Sequence, residues 1–154
     1  MNAIVTATCI SEKKGTRKHP VPSITLLKDH GIIGDAHAVN ADTPLQYRHR
    51  QVSLLAEESV NKMRNLGMEL NHGDFAENIL TKGIDLKRLP IGTIIKIGDT
   101  ELEVTQIGKE CHNDCEIKKL TGKCVMPTEG VFTIVRKGGV IKTGDPITYK
   151  APFG

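Results

Sequence analysis

The sequence predicts a mainly β protein, a closed or nearly closed barrel with a few short helices. Three observations predict it. Many short apolar, β-branched runs are separated by turn residues, including 15 glycines and 7 prolines in 154 residues. Helical periodicity is confined to two short segments. Aromatics are 3% and Trp is absent, so the core must be built from Ile, Val and Leu. The length is that of one domain, residues 1–154, and can bury a core without covalent staples.

Taken in order, Ala3–Ile10 is apolar and β-branched and reads as a strand rather than a signal peptide. Lys13-Lys14-Gly15-Thr16-Arg17-Lys18-His19 is the one basic cluster, expected to be a solvated loop. Ile24–Leu27 and Gln51–Leu55 are short strands. Ala56–Leu66 reads as a helix with Val60, Met63 and Leu66 on one face, stopped by Gly67. Thr93–Ile97 and Glu101–Ile107 flank Gly98-Asp99-Thr100, which predicts a hairpin. His112–Leu120 is a second, shorter helix ended by Gly122. Val131–Arg136 and Val140–Lys142 flank Lys137-Gly138-Gly139 and read as a second hairpin, and Ile147–Tyr149 closes the series.

Composition excludes several functions. The net charge of +3 is mild and its carriers are scattered. With so few aromatic rings to stack bases, no nucleic-acid partner is expected. No apolar run reaches the roughly 20 residues of a membrane span, so a cytoplasmic location is expected. In that reducing compartment four cysteines point to metal or catalysis more than to disulfides.

Three segments can carry chemistry. GKECHNDCEIKKLTGKCVMPTEGVF, residues 108–132, holds Cys111, His112, Cys115 and Cys124. If His112 opens a helix, Cys111 stands at its N-terminus, where backbone N–H groups favour thiolate. Thiolate is the form that a metal ligand and a sulfur-transfer nucleophile both require. A structural zinc would need four ligands, with the adjacent residues 111 and 112 serving one ion, and the usual C-x2-C pairing is missing. Gly73-Asp74-Phe75-Ala76-Glu77-Asn78 places two polar residues side by side in a candidate strand, so one of Glu77 and Asn78 should face inward. An inward Asn can both donate to and accept from a heterocycle edge. Gly34-Asp35-Ala36-His37 could aim His37 at a site, and Arg48 and Arg50 could clamp a phosphate with guanidinium forks. Cys9, inside the first strand, is expected to be core.

These segments together resemble the MOSC domain, named for the C-terminal domain of molybdenum-cofactor sulfurase, in its small stand-alone bacterial form. The resemblance is carried by Gly34–His37, His49–Leu55, Gly73–Ile79, Gln106–His112, Gly122–Pro127, Glu129–Phe132 and Gly138–Asp145, in order along the chain. It implies a β-barrel with small helices and binding of the molybdenum cofactor, molybdenum on molybdopterin. In related reducing enzymes a Cys after a Gly-Asp-x-Glu-Leu hairpin ligates molybdenum. Counting on from Gly98-Asp99-Thr100-Glu101-Leu102 makes Cys111 the equivalent ligand. The resemblance further implies that Asp35, His37, Gln51, Glu77 and Asn78 line the pterin pocket and that Arg48 or Arg50 meets the phosphate. Cys124 would be a second thiol, with His112 and Cys115 beside the reactive pair.

The reducing enzymes carry an extra N-terminal domain and a threonine-rich segment after the Cys, and this chain has Cys115 and Cys124 there instead. The expected role is therefore handling of the cofactor or its sulfur, accessory to molybdoenzyme maturation. The partners would be a cysteine desulfurase, cofactor-biosynthesis proteins or a molybdoenzyme. A persulfide carrier for metal–sulfur clusters and a small molybdenum-dependent reductase of N-hydroxylated compounds are the alternatives.

Overall fold

The computed structural model describes residues 3–13, 16–39, 43–44, 48–67, 69–108 and 130–152. Its strands are β1 (Ala3–Ile10), β2 (His19–Val21), β3 (Ser23–Leu27), β4 (Gly31–Ile32), β5 (Val52–Ala56), β6 (Ile79–Lys82), β7 (Ile94–Ile97), β8 (Thr100–Ile107), β9 (Val131–Lys137), β10 (Gly139–Lys142) and β11 (Pro146–Lys150). One helix, α1 (Glu57–Arg64), and a 3-10 turn, Leu86–Arg88, complete the described elements.

Seven strands close a barrel in the order β1-β11-β7-β8-β9-β5-β6, and β6 returns to β1. Closure leaves no open edge in the ring. Neighbours are antiparallel except β5 and β6, which α1 joins as a parallel crossover. β2 pairs with the Thr8–Ile10 end of β1, and β10, β3 and β4 make a separate three-stranded sheet. Val5, Val52, Leu54, Ile97 and Val104 of the barrel share one buried cluster with Ile24, Leu26, Ile32 and Ile141 of the small sheet. A second cluster, with Val60 and Met63 of α1 against Leu55, Phe75, Leu80 and Phe132, covers the barrel wall. Glu57 pins the start of α1, accepting hydrogen bonds from Thr6 Oγ1 at 2.8 Å and Arg64 Nη1 at 2.8 Å.

The mainly β barrel expected from the sequence is present, and so is the Gly98-Asp99 hairpin, as the β7–β8 pair. The helix ends at Arg64, so Leu66 falls beyond it and is exposed. The second helix, His112–Leu120, lies outside the described residues. The hairpin expected across Lys137-Gly138-Gly139 does not form. β9 pairs with β8 and β5, whereas β10 pairs with β3. The chain changes sheets at Gly138, where a Cβ would stand 2.5 Å from the Leu26 carbonyl oxygen. The basic loop is not wholly solvated either. Lys18 is buried, its Nζ 2.7 Å from Asp35 Oδ1, because a carboxylate inside the fold recruits it.

Candidate functional site

The described residues among those singled out by the sequence fall into three groups near the start of β5. The first lies at the end of β8. Strand alternation along Thr100–Ile107 buries Leu102 and Val104 and leaves Gln106 half-buried at the strand end. Its Oε1 accepts from His49 Nε2 at 2.6 Å and from Arg50 Nε at 3.0 Å. Its Nε2 donates to the Gly108 carbonyl at 2.6 Å, and Gly108 N–H donates to Gly130 O at 2.6 Å. Thr105 Oγ1 donates to the His49 carbonyl, and the Arg50 guanidinium lies 5.7 Å above the Phe132 ring. One side chain thus fastens the His49-Arg50 turn to the point from which segment 109–129 departs and to which it returns. Cys111, His112, Cys115 and Cys124 belong to that segment and lie outside the described residues.

The second group is the loop after β4. A Cβ on Gly31 would meet the Gln51 carbonyl oxygen at 3.0 Å and Ala38 Cα at 3.3 Å, so this loop rests directly on the Gln51 backbone. Asp35 is its anchor. Oδ1 accepts from Ser11 N–H at 3.1 Å and from Lys18 Nζ, and Oδ2 accepts from His37 N–H at 3.0 Å. His37 Nδ1 is 3.6 Å from Oδ2. Burial opposes ionisation of Asp35, but the hydrogen bonds from His37 and the Lys18 charge outweigh it and hold the carboxyl well below the usual range. Burial likewise pulls the Lys18 ammonium below its ordinary value, against the proton-retaining field of Asp35. The pair is an internal salt bridge that orients the Asp35–His37 turn.

The third group is buried beneath β5. Gln51 Oε1 accepts from Val135 N–H at 3.0 Å, and its amide nitrogen donates to Arg48 O at 3.3 Å. Asn78 Oδ1 accepts from Ser53 N–H at 3.0 Å, and Nδ2 donates to Cys9 O at 3.1 Å. The Glu77 carboxyl accepts from Gly73 N–H and Phe75 N–H, each at 3.0 Å. Burial pushes the Glu77 carboxyl up to about 7, against those two donors. Sequence alternation implied that one of Glu77 and Asn78 faces inward. Both are 0% exposed, because Ala76 takes a left-handed φ of 61° and the chain enters β6 only at Ile79. Their polar atoms hold backbone, so Glu77, Asn78 and Gln51 support the surface above them.

Arg48 Nε donates to Thr43 O at 2.9 Å. Cys9 is core, its thiol pushed up to about 12 by burial and so inert at neutral pH. Among the described residues no three His, Cys, Asp or Glu side chains converge on a metal position. A cavity of about 420 Å³ opens at the far end of β5, lined by Ala56, Ser59, Lys62, Ile84 and Leu86 among others. It holds none of the residues singled out above and is not the candidate site. His49, Gln106 and Lys18 are the contributors that residue-by-residue reasoning passed over. The available signal was a Gln ending an alternating strand just before a Cys-bearing segment.

The MOSC domain family model matches residues 33–148. The fold is similar to the YUAD protein from Bacillus subtilis, with a TM-score of 0.78 and 19% identity, covering 96% of this chain and 94% of that one. It is similar to YiiM from Geobacillus stearothermophilus, with a TM-score of 0.68 and 17% identity over 96% of this chain and 75% of that one. YiiM from Escherichia coli gives 0.63 and 19% over 98% and 70%. At these identities the likeness is one of fold. No curated protein matches the chain in sequence.

Proposed function

Since the chain belongs to the MOSC domain family, whose members are linked to the molybdenum cofactor, we propose that it binds that cofactor and handles the cofactor or its sulfur through Cys111. The observation that carries the reading is the Gln106 hub. It gathers His49 and Arg50 at the stem of the segment in which the sequence concentrates its thiols.

The chemistry of the donor set fits the group. The guanidinium forks of Arg48 and Arg50 match phosphate oxygens. His49 and the Gly34–His37 loop add polar groups for a heterocycle, and Cys111 offers the soft thiolate that suits molybdenum. Asp35, Lys18, Gln51, Glu77 and Asn78 keep this surface in register from beneath. When bound, the molybdenum centre supplies the redox or sulfur-transfer chemistry. The chain supplies the seat and the thiolate, with Cys124 as the second thiol able to exchange sulfur and with His112 and Cys115 alongside. In this reading the partners are proteins that load sulfur or receive the cofactor, a cysteine desulfurase or a molybdoenzyme.

The test is reconstitution with free cofactor, followed by desalting and assay of metal and pterin. Wild type should retain both. Cys111→Ser should lose the metal, and Arg48→Met/Arg50→Met should weaken retention at least about tenfold, the worth of one charge-assisted contact. Retention by neither wild type nor variants would end the reading.

A further inference from the structure

We infer that Gln106 is a positioning residue that holds His49 as the Nε2–H tautomer, leaving Nδ1 as the nitrogen able to take a proton. The argument is one of donor and acceptor accounting. Arg50 Nε can only donate, so the Gln106 atom 3.0 Å away must be its oxygen. The Gly108 carbonyl can only accept, so the atom 2.6 Å from it must be the amide nitrogen. The two partners therefore fix the amide from both ends, and a flipped amide would face donor with donor and acceptor with acceptor. His49 Nε2 lies 2.6 Å from the oxygen so fixed, and it must donate. In the neutral ring the lone pair then sits on Nδ1. The His49 backbone is held as well, since its carbonyl accepts from Thr105 Oγ1.

This arrangement has a property that the opposite tautomer would lack. Nε2 carries a proton in both the neutral ring and the imidazolium. The bond to Gln106, and through it the stem at Gly108 and Gly130, is therefore compatible with either form of the ring.

The experiment is nitrogen NMR of the apoprotein labelled with 15N-histidine, using two-bond ring correlations. Wild-type His49 should show a protonated Nε2, an unprotonated Nδ1, and an Nε2–H signal protected from exchange with water. Gln106→Glu keeps an acceptor and should keep that signal. Gln106→Leu removes it, and the protected signal should be lost while the ring nitrogens shift toward a tautomer mixture. A neutral wild-type ring with its proton on Nδ1 and none on Nε2 would overturn the inference, as would an unchanged His49 spectrum in a folded Gln106→Leu protein. Wild type and Gln106→Glu keep the test decisive should the Leu variant not fold. No cofactor is present in any arm, so failure of the cofactor reading and failure of this one are separately visible.

Discussion

Replacing Asn78 by Ala removes the acceptor for the Ser53 N–H and hydroxyl and the donor to the Cys9 carbonyl. Those groups belong to β5 and β1 and stay buried, so each orphan costs about 1–3 kcal/mol. The expected loss is about 2–5 kcal/mol, read as a fall in the urea midpoint with unchanged slope. Asn78→Asp should not rescue it, because a carboxylate cannot donate to Cys9 O. At this scale the sequence was half legible. It marked Glu77 and Asn78 as polar residues in an apolar neighbourhood. It could not show that Ala76 turns left-handed, which is why both are buried and why they face backbone. Asp35 and His37 were legible as a Gly-Asp-x-His turn. The partner of Asp35 was not, because Lys18 lies in a run of charges whose other members gave no reason to single it out.

Elements were legible where periodicity was local. β1, β7, β8 and α1 announce themselves by apolar spacing and turn residues. The switch of β10 into the small sheet does not, because a Gly-Gly turn looks the same whether the strands on either side pair or part. What decides it is close approach: Gly138 passes against Leu26 with no room for a side chain. The turn before β6 has the same character. Gly73 has φ of 93°, and a Cβ there would fall 2.2 Å from the Lys18 carbonyl oxygen, backbone that is itself tied down by the Lys18 N–H bond to Gly73 O at 2.8 Å. Gly73→Ala should therefore part the turn from the β1–β2 connection. A Tm fall of about 5–10 °C is expected by calorimetry, corresponding to about 2–3 kcal/mol in a chain of this length. A Tm within one degree of wild type would show that the turn can move freely.

For the molecule as a whole, two buried carboxyls set opposite pH trends. Asp35 is held below the ordinary range, so its contribution is present above that range and fades as pH falls through its folded value. Glu77 is raised from 4.5 to about 7, so the folded state favours the protonated form. Its contribution is full below about 4.5 and is lost as pH rises toward 7, an effect on the order of 3 kcal/mol. Unfolding free energy should decline between pH 5 and about 7, against the common rise for carboxylates. Glu77→Gln should flatten that segment of the curve, whatever its constant cost from one mismatched N–H. An equal slope in both proteins would remove Glu77 as the cause. The seam of the barrel bears on a different matter, the order in which the fold can close. Ala3 pairs with Ile147 and Ile4 with Pro146. β1 and β11 stand far apart along the sequence, so this seam closes a long loop. Until β11 docks, β1 and β7 each present a bare edge, the kind of surface that recruits stray strands. Ring closure is therefore a long-range and slow step, and any intermediate that lacks it carries those edges exposed.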